Sequence, residues 1–161
     1  MHHSNETLSQ ELVAMAKNDL SVREALVADG SLGRALYHPR MEAIHIGNAA
    51  RLADIIQQYG WPGNALVGEE GAWVAWLIAP HAIGNPPFMR HCLSLLKQST
   101  ANNDVMPWQA AFLEDRIRIY GGFGYSRARS SEGGQRCRSG RKRCSPTLKI
   151  LETERQRSED F

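Results

Sequence analysis

The sequence predicts an all-helical protein, an irregular bundle of five or six helices with a disordered basic C-terminal tail. Three observations predict it. Apolar residues recur at spacings of three and four through residues 1–120, and nothing there alternates like a strand except the short stretch Ile117 to Tyr120, which is kept in a helix. Pro and Gly fall between those segments, where helices start and stop. At Gly121 the composition changes: only 9 of the last 41 residues are apolar, and Gly, Ser and Arg take their place.

The first helix runs from about Glu6 to Asn18, capped by Asn5 or Ser4, with Leu8, Leu12, Met15 and Ala16 on one face. Ser21 and Glu24 form a capping-box pair that starts a short second helix ending near Gly30. The third spans Pro39 to Tyr59. Pro39 suits a first helical position, Gly60 suits the left-handed stop, and Trp61-Pro62 ends the pattern. Its stripe is Met41, Ile44 or His45, Asn48 or Ala49, Leu52, Ile55, Ile56 and Tyr59. The fourth spans Glu69 to Ala79, with acidic residues in its first turn and Pro80 stopping or kinking it. The fifth starts at Pro86 or Pro87 and carries Phe88, Met89, Cys92, Leu93, Leu95 and Leu96. The sixth starts near Pro107 and carries Trp108, Phe112, Leu113, Ile117 and Tyr120.

The formal charge of +2 is a composite. Residues 1–120 hold 9 Lys/Arg and 12 Asp/Glu, a net −3, and residues 121–161 hold 10 and 5, a net +5. The split marks a helical domain over 1–120 and a Gly/Ser/Arg-rich tail over 121–161. The tail lacks the apolar surface that would offset an ordering cost of about 1–2 kcal/mol per residue. Its GRKR run at 140–143 would attract any polyanion, so nucleic-acid binding is expected only non-specifically, through the tail. The longest apolar run, Ala72 to Ala79, falls well short of the ~20 residues a membrane span needs. The opening MHHSNETLSQ has no secretion-signal pattern. A membrane protein, a secreted disulfide scaffold and a collagen-like chain are excluded, and a soluble cytoplasmic protein is expected.

The order Gly60-Trp61-Pro62, Val67-Gly68, Ala75-Trp76-Leu77-Ile78, His81, Asp115-Arg116 resembles a bacterial family of small helical proteins of unknown function, whose members read GWP, VG, AAWLIVQHAD and AYLTDRV. The resemblance covers roughly residues 9–120. It implies a helical fold and no assigned activity. There are two departures. Gln and Asp flank the family's His, where this chain has Pro80 and Ile83, which depletes the polar cluster around His81. From Gly121 the family's closing YGTQ-type segment is missing, as a frameshifted or replaced end would look.

The residue types that carry chemistry suggest a pocket between the third, fourth and sixth helices, lined by His45, Asn48, Trp76, His81 and Arg116. His45 and Asn48 stand one turn apart, where they line a pocket or pair to fix helix register. His81 follows a helix stop and serves as base, ligand or C-terminal cap. Arg116 clamps an anion, or Asp115 or Arg116 pairs with Arg51 or Asp54. The four Trp are read chiefly as core. Cys92 reads as an inert buried thiol, whereas Arg neighbours make Cys137 and Cys144 reactive. No HxxxH, HExxH or CxxC spacing, Walker loop, dinucleotide glycine pattern or GxSxG occurs, so no metal and no cofactor is expected. Two readings of function follow. The first is a helical module that binds an unknown small molecule or protein. The second is a small hydrolase or transferase, with catalytic candidates His81, His45 and Asp115 and an Arg116 anion clamp.

Overall fold

The computed structural model describes residues 5–34 and 37–121. The expectations for the tail, including Cys137 and Cys144, lie outside the described residues. Within them the chain forms five α-helices and no strand: α1 (Glu6–Ala28), α2 (Pro39–Tyr59), α3 (Asn64–His81), α4 (Pro86–Ala101) and α5 (Pro107–Gly121). None is long and apolar enough to cross a membrane.

The first correction concerns α1. The expected break at Ser21 and Glu24 does not occur, and both residues lie inside one 23-residue helix. Asn18 to Ser21 contains no Pro or Gly, so nothing in the backbone forbids continuation. Tertiary burial favours it, since Leu8, Leu12 and Leu26 are all buried along the same helix. Asn5 caps it, its side chain accepting from the Leu8 N–H at 3.1 Å. The Asn5 N–H donates to the Leu66 carbonyl at 2.6 Å, which ties the start of α1 to the start of α3.

Helix α2 keeps its expected bounds. His38 is its N-cap and accepts from the Arg40 N–H through Nδ1 at 3.2 Å. Gly60, at φ +79°, ends it, and Trp61 and Pro62 are buried in the turn beyond.

Helix α3 is longer than expected at both ends. It opens at Asn64, and Gly68, at φ +73°, breaks its direction after the first turn. A left-handed residue there costs a glycine little. Gly63, before the first turn, offers no side chain as a cap. Asp104 from the α4–α5 turn supplies one, accepting from the Ala65 N–H at 3.0 Å. At its other end α3 runs through Pro80 to His81. A proline so close to a helix end forfeits one hydrogen bond without stopping the chain first. The Pro80 carbonyl is taken by Arg116 Nε at 3.1 Å.

Helix α3 packs against all four other helices. Beyond Glu70 its residues, among them Ala72, Val74, Ala75, Trp76, Ile78 and Ala79, leave no polar face, as befits a core helix. Trp76 is 1% exposed, and its indole N–H donates to the Gln109 carbonyl at 3.2 Å. Rings of Trp73, Trp108 and Phe112 surround it at centroid distances of 4.9, 4.9 and 5.6 Å. Trp108 keeps 40% of its surface exposed, so the aromatic cluster reaches the outside there.

The expected pairing of Asp115 or Arg116 with Arg51 or Asp54 is also corrected. Arg51 forms a two-pronged pair with Glu11 of α1, at 2.5 and 3.0 Å. Asp115 stands 3.6 Å from Arg118 on its own helix. The cause is placement: α5 lies along α4 and α3, where Glu114 meets Lys97 at 3.0 Å.

Cys92 is fully buried on α4, and burial pushes its thiol up to about 12. A thiol reagent should therefore leave it untouched in the native chain and label it on unfolding. Mass spectrometry of the labelled peptide reads this directly.

Gly71 faces both the first turn of its own helix and Ser9 of α1. A Cβ there would stand 2.8 Å from Val67 Cβ and 3.0 Å from Ser9 Oγ. Gly71→Ala gains about 1 kcal/mol of helix propensity but overpacks this contact, at about 1–3 kcal/mol. The expected outcome is net destabilisation of about 1 kcal/mol, read as a lower urea midpoint.

Candidate functional site

Three helices meet at a group of polar side chains. Asp19 comes from the middle of α1, His45 from the second turn of α2, and His81 from the last position of α3. Asp19 lies seven residues after Leu12 and seven before Leu26, both buried, so helical periodicity turns its carboxylate toward the other helices. Its Oδ2 stands 3.1 Å from His45 Nε2 and 3.8 Å from His81 Nδ1. The two imidazole rings stack at 4.9 Å and 28°. On the far side of His45, the Tyr37 hydroxyl pairs with Nδ1 at 2.5 Å. The group is shielded from water: the side chains of His45 and Asp19 are 12% and 15% exposed, that of His81 31%.

Electrostatics follow from that shielding. Burial alone would raise the Asp19 carboxyl, but the His45 and His81 imidazoles set against it hold it well below the usual carboxylate range. Burial lowers His81, the charges of His45 and Arg116 lower it further, and the nearby Asp19 carboxylate opposes them. Arg116 sits near because its Nε holds the Pro80 carbonyl, while its guanidinium lies 5.0 Å over the Tyr120 ring.

Residues 6–126 match the family model described as a family of unknown function, DUF6624. The chain belongs to that family. No curated protein and no solved structure matches it. The DUF6624 region spans all five helices and so contains the whole polar group.

Of the five pocket residues expected from the sequence, the DUF6624 fold brings His45 and His81 into ring contact and sets Arg116 beside the end of α3. Asn48 is buried one turn beyond His45. Trp76 stands in the aromatic core. Asp115, a catalytic candidate, has a 72% exposed side chain. The acid beside the histidines is Asp19, which the sequence reading missed, as it missed Tyr37. The signal for Asp19 was available: positions 12, 19 and 26 share a helical face once α1 is continuous. Reading a helix start at Ser21 removed that register. Tyr37 precedes α2 in irregular chain, where periodicity carries no signal.

Asp19, His45 and His81 are also the donor types of a metal site, with ligand atoms all within 4.8 Å of one another.

Asp19 and His81 both have folded pKa values below their unfolded ones. The unfolded chain therefore takes up protons first as pH falls, and the stability they contribute is lost on acidification. For His81 the loss begins near its unperturbed value of 6.5, and for Asp19 below 3.8. In the presence of a chelator, the urea midpoint should fall between about pH 7 and about pH 5. His81→Gln, which cannot titrate, should flatten that decline.

Proposed function

We propose that this DUF6624 domain is a small-molecule binding module whose ligand occupies a cleft beside His45. One observation carries the reading: a cleft of about 150 Å³ lies between α2 and the α3–α4 connection, reaching Tyr37 and His45 at its polar end. Its wall is built from Ala49, Ala50 and Ala53 on α2, whose small side chains leave the room, and from Phe88 on α4. An apolar wall with a few polar groups is the usual make-up of a ligand site. A volume of about 150 Å³ accommodates a single ring of benzene size, so the ligand is small or inserts one ring. Asn85 also lines the cleft, but its side chain is engaged in capping α4 through the Phe88 N–H. Tyr37, Glu42 and His45 bring the polar atoms to the cleft, the Tyr37 hydroxyl and His45 Nδ1 being paired with each other at 2.5 Å. The free, buried Cys92 suits a reducing compartment, and the cytoplasm is the proposed location.

A second reading, a hydrolase or transferase, draws on the 3.1 Å approach of His45 and Asp19. In it His45 is the base, Asp19 orients the ring, and Tyr37 fixes its other nitrogen. It requires turnover, where the first requires only saturable binding.

Ala53 lines the cleft and is exposed, so Ala53→Leu fills the space without disturbing the core. In a ligand-detected NMR screen of single-ring fragments, the native chain should give hits. The variant should bind them at least about tenfold more weakly, a loss of about 1.4 kcal/mol, at unchanged melting temperature. Equal binding by the variant would overturn the cleft as the site.

A further inference from the structure

We propose that Asp19, His45 and His81 form a binding site for a divalent transition-metal ion. The inference goes beyond the cleft, with which the group shares His45, and it is tested separately from ligand binding there. Among the described residues this is the one group of three or more His, Cys, Asp or Glu side chains close enough to share an ion.

Distances give the first argument. Metal–ligand bonds of about 2.0–2.2 Å at the tetrahedral angle set donor atoms roughly 3.4 Å apart. The two measured approaches to Asp19 Oδ2, 3.1 and 3.8 Å, lie on either side of that separation. A single carboxylate oxygen serves both imidazoles, as it would in sharing one ion.

The second argument is an orphaned atom. His45 Nε2 is buried and makes no hydrogen bond, although Asp19 Oδ2 is 3.1 Å away. The distance suffices and the direction does not. Side chains that hydrogen-bond aim at each other; side chains that share an ion aim at a common point between them. A buried polar atom without a partner costs about 1–3 kcal/mol, and a ligated ion removes that cost.

The third argument is support from behind. In the tautomer that ligation requires, His45 Nδ1–H donates to the Tyr37 oxygen, and Nε2 is left with its lone pair. A ligating imidazole is commonly held this way through its second nitrogen. The carboxylate adds one negative charge to two neutral rings, which favours a cation over an empty site.

The donor set selects the class of ion. Two imidazole nitrogens and one carboxylate oxygen suit Zn²⁺, Co²⁺ or Fe²⁺ rather than Ca²⁺ or Mg²⁺, which prefer oxygen throughout. Three protein donors leave at least one coordination position for water or a ligand, unlike the four of a closed structural site. The bland alternative is a polar network that only holds α1, α2 and α3 in register.

The test uses the full chain, stripped with a chelator and titrated with Zn²⁺ and separately with Co²⁺. We expect one equivalent bound, a Co²⁺ spectrum without the thiolate charge-transfer band, and a rise in melting temperature. Binding should persist when His2, His3, Cys137 and Cys144 are all replaced by Ala, and Asp19→Asn should weaken it at least tenfold. Tyr37→Phe should weaken it about tenfold, the usual effect of losing such a support. Because Asp19→Asn can fail to fold, ring ¹⁵N spectra of the native chain give a second readout. Zn²⁺ must shift His45 and His81 and leave His91 unmoved. Absence of binding, shifts confined to His2 and His3, or equal affinity in a folded Asp19→Asn chain would each overturn the site. Fragment binding in the cleft of a chain that takes up no metal would overturn the ion and leave the cleft standing.

Discussion

Burial of α3 from Gly71 to Pro80 is the constraint on which this fold depends. Four helices must each bring an apolar face to it, and their directions follow from its surface. At Gly71 the absence of a side chain lets α1 approach closely. At Trp76 a large ring fills the space that α5 covers, and its one donor finds the Gln109 carbonyl. With no polar face of its own, α3 has its exposed backbone ends served by others: Asp104 at the start, Arg116 at the finish. Each of these services also fixes a loop or a neighbouring helix, so capping and packing are one arrangement here.

The same constraint generates the polar group. A helix buried all round must reach water at its end, and His81 is the last residue of α3. It emerges between α1 and α2, where Asp19 and His45 face it. Asp19 stands on the face of α1 that buries Leu12 and Leu26, and His45 stands one turn from the buried Asn48 on α2. The close approach of the carboxylate to both rings offsets part of the cost of shielding them. The acid falls well below its usual range because two imidazoles stand against it, and His81 falls because it is desolvated beside positive charge.

Much of this was legible in the sequence. The all-helical class, the bounds of α2 and the Pro-led starts of α4 and α5 came from periodicity and from Pro and Gly punctuation, which act locally. The pairing of His45 with His81 as site residues came from their positions on a core face and at a helix end. What failed was decided at long range. Ser21 and Glu24 have the chemistry of a helix start, but burial of Leu26 against the rest of the bundle makes continuation the better state. That single misreading hid Asp19 by breaking its register. Asp115 attracted notice through its place in a motif, although a 72% exposed side chain meets none of the histidines' requirements. Tyr37 lay in a stretch without periodicity, and only the folded chain shows its partner.

Asp19, His45 and His81 lie 26 and 36 residues apart along the chain, each on a different helix. No local segment can assemble them, so the group exists only when α1, α2 and α3 are docked together. Whatever occupies it is therefore bound by the native state and not by the unfolded one. An occupant at a hundred times its dissociation constant would add about 2.7 kcal/mol to the stability of the domain. For a small domain that is a large share of the total. Supply of the occupant would then govern how long the protein survives proteolysis, coupling its abundance to the availability of what it binds.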